Sequence, residues 1–217
     1  MTIEAHGNNG FQMHPHSSKG GGTNISPSGT ASGDERPPHV TPDLARLTDV
    51  LAPARDTTPA PDWAAAETAL HTALPADYKE LIETYGGGFI DGYLLLLEPD
   101  RPDDVHDLLK ITAERDEAND SLWQYEDKPE EMETPGSRLL CWATTDNGEY
   151  LYWLVRPDDN PDTRPILINS ASVEDWERYD TTVTRFLTAV LTGEVHSEIL
   201  WDQFPLPRHT FRSAHDM

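Results

Sequence analysis

Residues 74–99, LPADYKELIETYGGGFIDGYLLLLEP, constrain this chain more than any other stretch. A helix, a glycine break and an apolar strand follow one another without a spacer. Tyr78, Leu81, Ile82 and Tyr85 recur at i, i+3, i+4 and i+7, which places them on one helix face. Pro75 suits the first helical turn, where its missing N–H breaks no bond. Asp77 and Glu80 lie near the end that favours negative charge. Gly86, Gly87 and Gly88 stop the helix, because glycine takes the left-handed conformation of a C-cap. Phe89 and Ile90 come next, Asp91-Gly92 reads as a turn, and residues 93–97 form an apolar run of strand length closed by Glu98-Pro99.

The rest of the chain reads as elements assembled onto this unit. Residues 1–39 are rich in Gly, Ser, His, Asn and Pro and cannot bury enough apolar surface to offset ordering, so they read as a disordered tail. Thr41-Pro42 opens a short helix carrying Leu44, Leu47, Val50 and Leu51. A loop begins near Asp56. A second helix runs over about residues 62–71, lined by Trp63, Ala66 and Leu70, with His71 as a dipole-favoured residue of its last turn. Residues 98–135 are the most acidic region. A helix starting near Pro102-Asp103 carries Val105, Leu108, Leu109 and Thr112, and Leu122, Trp123 and Tyr125 belong to its continuation or to a second short helix.

Residues 138–145 and 149–155 form a hairpin about the turn Asp146-Asn147-Gly148. Residues 166–169 are a short strand, and Trp176 and Tyr179 lie in a polar connection or short turn. Val183, Phe186, Leu187, Val190 and Leu191 stripe a last helix over residues 180–192. The predicted organisation is a tail over 1–39, one domain over 40–205 and a frayed C-terminus over 206–217. The order of helices, hairpin and helix predicts an α+β fold: a single domain with a mixed, mostly antiparallel sheet packed with helices.

Charge narrows the function. The chain carries 16 Lys and Arg against 39 Asp and Glu, a formal net charge of -23. A nucleic-acid binder needs the opposite balance. Two readings of the acidity stand: solubility, or an acidic face for a basic protein partner. Cys141, in the apolar run 139–142, reads as a small core residue. The sequence shows no membrane span and no signal-peptide pattern, so the expected location is cytoplasmic.

No enzyme motif survives inspection. The glycines 86–88 follow a helix, so no helix N-terminus faces a phosphate and no Walker lysine follows. Asp158, Asn160 and Asp162 have calcium-loop spacing, but Thr163 and Asn169 stand where that loop needs Gly and Glu. His14 and His16 are too few for a closed metal site. HExxH, CxxC and GxSxG are missing. The expectation is a non-catalytic protein without cofactor or metal.

The same opening stretch resembles the SUKH superfamily, of Smi/Knr type. The resemblance is carried by Leu74-Pro75, Asp77-Tyr78, Tyr85 with Gly87, Gly88 and Phe89, and the strand closing on Pro99. Further on, Trp142 through Gly148 with the tyrosine-rich strand after it, residues 166–170 and Phe186-Leu187 are similar to the second half of such domains. The similarity spans residues 62–194. It implies an α+β fold and, as in bacterial members, an immunity protein that binds a cognate toxin encoded nearby without catalysis. Toxins in such loci are often nucleases or nucleic-acid deaminases, whose substrates demand basic surfaces. The signature residues imply hinge and core, not the toxin contact. From charge, the candidate contacts are Asp146, Glu149, Glu174 and Asp175, with the acids of 98–135. The alternative is an adaptor or regulatory domain of the same type with a non-toxin partner.

Overall fold

The computed structural model describes residues 41–54, 59–101, 105–126, 128–172 and 174–216. The predicted tail over 1–39, the loop start at Asp56 and the helix start at Pro102-Asp103 lie outside them.

Thr41 caps the first helix, α1 (Pro42–Val50): its Oγ accepts the Leu44 N–H at 3.4 Å, and Pro42 takes the first helical position. Helix α2 (Trp63–Leu70) is capped by Asp62, whose carboxylate accepts the Ala65 N–H at 3.0 Å. His71 is not a helical residue of the last turn. It closes α2 in the left-handed conformation, with φ of 53°. Helix α3 (Ala76–Tyr85) buries Tyr78, Leu81, Ile82 and Tyr85, as the periodicity predicts, with Pro75 just outside it as N-cap. Gly86 has φ of 71° and ψ of -176°, a region only glycine enters readily, rather than the left-handed helical cap predicted. The chain therefore leaves α3 already extended and enters β1 (Gly88–Ile90) two residues later.

The turn at Asp91-Gly92 leads to β2 (Leu94–Leu96). Helix α4 (Leu108–Leu122) starts later than predicted: Val105 is exposed in a turn before it, and Asp107 caps the helix by accepting the Lys110 N–H at 2.9 Å. The hairpin follows as β3 (Arg138–Thr145) and β4 (Tyr150–Val155), then β5 (Ile166–Asn169), β6 (Trp176–Tyr179), α5 (Val183–Leu191) and β7 (Phe211–Ser213). The sheet order is β6-β5-β4-β3-β2-β1-β7. Every ladder is antiparallel, with one isolated parallel bridge between Glu98 and Asp107.

Two segments depart from expectation. Residues 176–179 form an edge strand, not a connection: Trp176 pairs with Asn169 and Tyr179 with Ile166. Glu177 and Arg178 mask the period-two pattern, because an edge strand tolerates charge that an inner strand does not. The predicted frayed end is instead β7, with Phe211 paired to Ile90 and Ser213 to Gly88. Gly88 permits this approach. A Cβ there would lie 2.4 Å from the Arg212 carbonyl oxygen. The Phe211 ring meets Tyr85 edge-on at 5.1 Å, which ties β7 to α3.

Helices α1, α3 and α5 cover one sheet face. Tyr78 stands edge-on to Trp153 at 4.8 Å, and Phe186 packs on Trp142 at 6.4 Å and on Tyr179 at 4.9 Å. The β3–β4 register shifts between Cys141 and Ala143, so Trp142 is an extra residue in the ladder, buried against Trp153 at 6.0 Å. Helix α4 lies on the other face, where the Thr112 hydroxyl donates to the Cys141 carbonyl at 3.4 Å.

Gly88→Ala must part β7 from β1. We expect it to destabilise the domain by about 1–3 kcal/mol and to raise hydrogen exchange in β7. Gly92→Ala, whose Cβ meets nothing within 4 Å but sits at φ of 69°, should cost about 1–2 kcal/mol and leave β7 exchange unchanged.

Candidate partner-binding surface

In an antiparallel sheet, alternate connections return to the same end. Three turns accordingly meet at one end of this sheet: residues 91–93, 146–149 and 170–175. They touch. The Asp146 N–H donates to the Tyr93 carbonyl at 3.0 Å. Gly148, at φ of 94° as the predicted Asn-Gly turn requires, comes so close to the next turn that a Cβ on it would lie 3.8 Å from that of Ala171.

The C-terminal segment straps the same end. The Asp91 carboxylate accepts the N–H groups of Leu206 at 3.1 Å and Thr210 at 2.8 Å, and faces His209 Nδ1 at 3.0 Å. The Trp201 N–H donates to the Tyr93 hydroxyl at 2.9 Å, and that hydroxyl donates to Glu149 at 3.0 Å. Burial, reinforced by the Glu149 charge, pushes the Tyr93 phenol up to about 12, so it keeps its proton.

The candidate contact residues divide here. Asp146, Glu174 and Asp175 are exposed on adjoining turns. Glu149 is not a surface acid. It is 7% exposed, and Thr145 as well as Tyr93 donates to its carboxylate. Its position beside the hairpin turn points it inward, and the correction is that Glu149 holds the turn together. Two acids of the 98–135 region are structural in the same way. Asp107 caps α4 and accepts the Arg101 N–H at 2.9 Å, and the buried Glu98 accepts the Gly87 N–H at 2.8 Å and faces His215 Nε2 at 3.1 Å. Glu114, Glu117 and Asp120 are exposed on α4.

Two acids enlarge the cluster that sequence reasoning overlooked. Glu177 and Glu198 join Asp175, Ser170, Trp176 and Ile199 around a cavity of about 450 Å³. Glu177 anchors the segment opposite it. Its carboxylate accepts the Glu198 N–H at 2.6 Å, the Ser197 hydroxyl at 2.6 Å and the Tyr179 hydroxyl at 2.7 Å. The available signal was weak: two rings, Trp176 and Tyr179, of a type that favours strands, with two charges between them that hide any alternation.

The signature residues are structural. Leu74, Tyr78, Tyr85 and Trp142 are each 3% exposed or less, and Pro99 is buried. The Tyr78 and Tyr85 hydroxyls donate to the carbonyls of Leu97 and Leu51, both at 2.5 Å. Phe89 is half-buried on the α4 face, with the Arg212 guanidinium 5.5 Å from its ring. There it borders a groove of about 510 Å³ with Leu95, Ile111 and Tyr150. Arg115 stacks 4.2 Å above Tyr150, and Arg212 lines the groove.

The calcium-like spacing also resolves into packing: Asn160 caps a short 3₁₀ turn, and Asp162 accepts the Ala76 N–H at 2.7 Å. Among the described residues no group of three or more His, Cys, Asp or Glu side chains could hold a metal ion. Burial pushes the Cys141 thiol well up, out of the range of a reactive thiolate. No described helix is long and apolar enough to cross a membrane.

The structure is thus an α+β domain with a cluster of exposed carboxylates on its turns. The SMI1-KNR4 cell-wall family model, of SUKH type, matches residues 61–187, more than half of the chain, and the chain belongs to this family. No curated protein and no solved structure matches it.

Glu149→Ala leaves the Tyr93 and Thr145 hydroxyls without their acceptor and should destabilise the domain by about 1–3 kcal/mol in urea unfolding. Asp146→Ala, three residues away and solvent-facing, should stay within about 0.5 kcal/mol of the parent.

Proposed function

We propose that this domain is a non-catalytic immunity-type protein that captures a basic toxin domain and blocks it. The observation that carries the reading is the gathering of exposed Asp146, Glu174, Asp175 and Glu198 at one end of the sheet of a SUKH-family domain. Solvated acids at close spacing attract a cationic surface over about a Debye length, raising the rate of encounter. A toxin that acts on nucleic acid must present such a surface to its substrate. An acidic end of this kind occupies the place of the phosphates. In this reading the protein works in the bacterial cytoplasm, with Cys141 remaining a buried thiol.

The test is affinity for the protein encoded beside this chain, measured at about 50 and about 200 mM salt. The expected result is a nanomolar complex that weakens at least tenfold at the higher salt and silences the neighbour's activity. Glu174→Lys combined with Asp175→Lys should weaken it further while leaving the fold intact. No complex at micromolar concentration, or a salt-independent one, contradicts the proposal.

A further inference from the structure

The sheet ends on one side at β6, and the outer edge of that strand is open. The Ser170 N–H donates to the Asp175 carbonyl at 3.0 Å, which sets the ladder phase: Asp175, Glu177 and Tyr179 turn their backbone groups toward β5. Trp176 and Arg178 therefore turn theirs outward. Among the described residues, no hydrogen bond is made to the outward N–H or C=O groups of Trp176 and Arg178. Cavities of about 450 and about 470 Å³ flank the two halves of this edge. The first is lined by Asp175, Glu177 and Glu198; the second is charge-balanced, with Arg46, Arg178 and Arg185 paired to Glu194, Asp180 and Asp43.

We infer that β6 receives an extended, lysine- or arginine-bearing segment of the partner as an eighth, antiparallel strand. The two outward residues supply main-chain donors and acceptors, and the flanking cavities take alternate side chains. Charge decides both the edge and the occupant. Of the exposed acids around β6, Asp180 pairs with Arg178 and Glu194 with Arg46, which leaves Glu174, Asp175 and Glu198 to meet a cation. The opposite edge, β7, carries exposed Arg212, with exposed Arg208 just before the strand, and would repel a cationic segment. A second copy of this chain is a poor occupant. Pairing β6 with itself about a two-fold axis sets Glu177 against Glu177, Arg178 against Arg178 or Asp175 against Glu177, in molecules that each carry -23. The inference rests on the proposed function and gives it a binding mode.

An alternating lysine–valine octapeptide serves as probe, with its glutamate–valine counterpart as the acidic control. Titrated into the full chain and followed by amide exchange, the lysine peptide should bind, and binding should slow exchange at Trp176 and Arg178. Methylating its alternate backbone nitrogens should weaken binding at least tenfold. Arg178→Pro removes an outward N–H that the fold does not use, a position where edge strands accept proline. It should lose at least tenfold in affinity, while Arg178→Ala, which keeps the backbone, should change affinity less than about threefold.

If the lysine peptide binds with no added protection at β6 and Arg178→Pro is silent, strand addition is overturned while acidic capture survives. If neither peptide binds, or both bind alike, the acidic reading falls with it. If the chain sediments as a dimer that Arg178→Pro dissolves, the occupant is a second copy and the inference is wrong.

Discussion

Tyr78 stands edge-on to Trp153 at 4.8 Å while its hydroxyl closes on the Leu97 carbonyl, and most of the domain hangs on that pair of contacts. One side chain joins α3 to the middle of the sheet through its ring and to the end of β2 through its oxygen. Aromatic pairs of this geometry add about 0.5–1.5 kcal/mol to the burial itself. The seam continues through Trp142 and Phe186 to α5, and α5 in turn packs on α1. The bulge at Trp142 belongs to this seam. Without an extra residue in β3, the indole could not reach both Trp153 and Phe186 from a strand whose neighbouring residue Cys141 pairs with Tyr152.

That rigid centre determines what the ends can do. A meander from β1 to β6 returns three turns to one rim, and the strap over residues 197–210 locks there through Asp91, Tyr93 and Glu177. Carboxylates at this rim thus play two parts. Asp91 and Glu149 are buried and consumed by hydrogen bonds that hold the rim, while Asp146, Glu174 and Asp175 stay solvated and able to meet a cation. The distinction follows from the pleat and the turn, since neighbouring residues point to opposite sides. Asp146 and Glu149 lie three residues apart, and only Asp146 faces water.

Where local chemistry is decisive, the sequence carries the fold plainly. The α3 stripe, the Thr41-Pro42 cap, the hairpin at Asn147-Gly148 and the α5 stripe all appear where periodicity and capping put them. Strands β6 and β7 escape such reading for different reasons. β6 pairs with the strand just before it, but two adjacent charges, Glu177 and Arg178, interrupt its apolar pattern, whereas β7 pairs with Gly88, far back in the chain. The site was legible only as charge. Nothing in local sequence separates the solvated Asp146 from the buried Glu149, and Glu198 joins Glu177 only because residues 197–198 fold back on β6.

The central claim is that partner recognition takes place at the acidic rim and the adjoining β6 edge. The most direct measurement is peptide-resolved hydrogen exchange of the full chain, alone and in complex with the protein encoded beside it. The account predicts new protection confined to residues 146–148 and 170–179. Protection along α4 and beside Phe89, with those residues unchanged, would contradict it and place recognition on the α4 face.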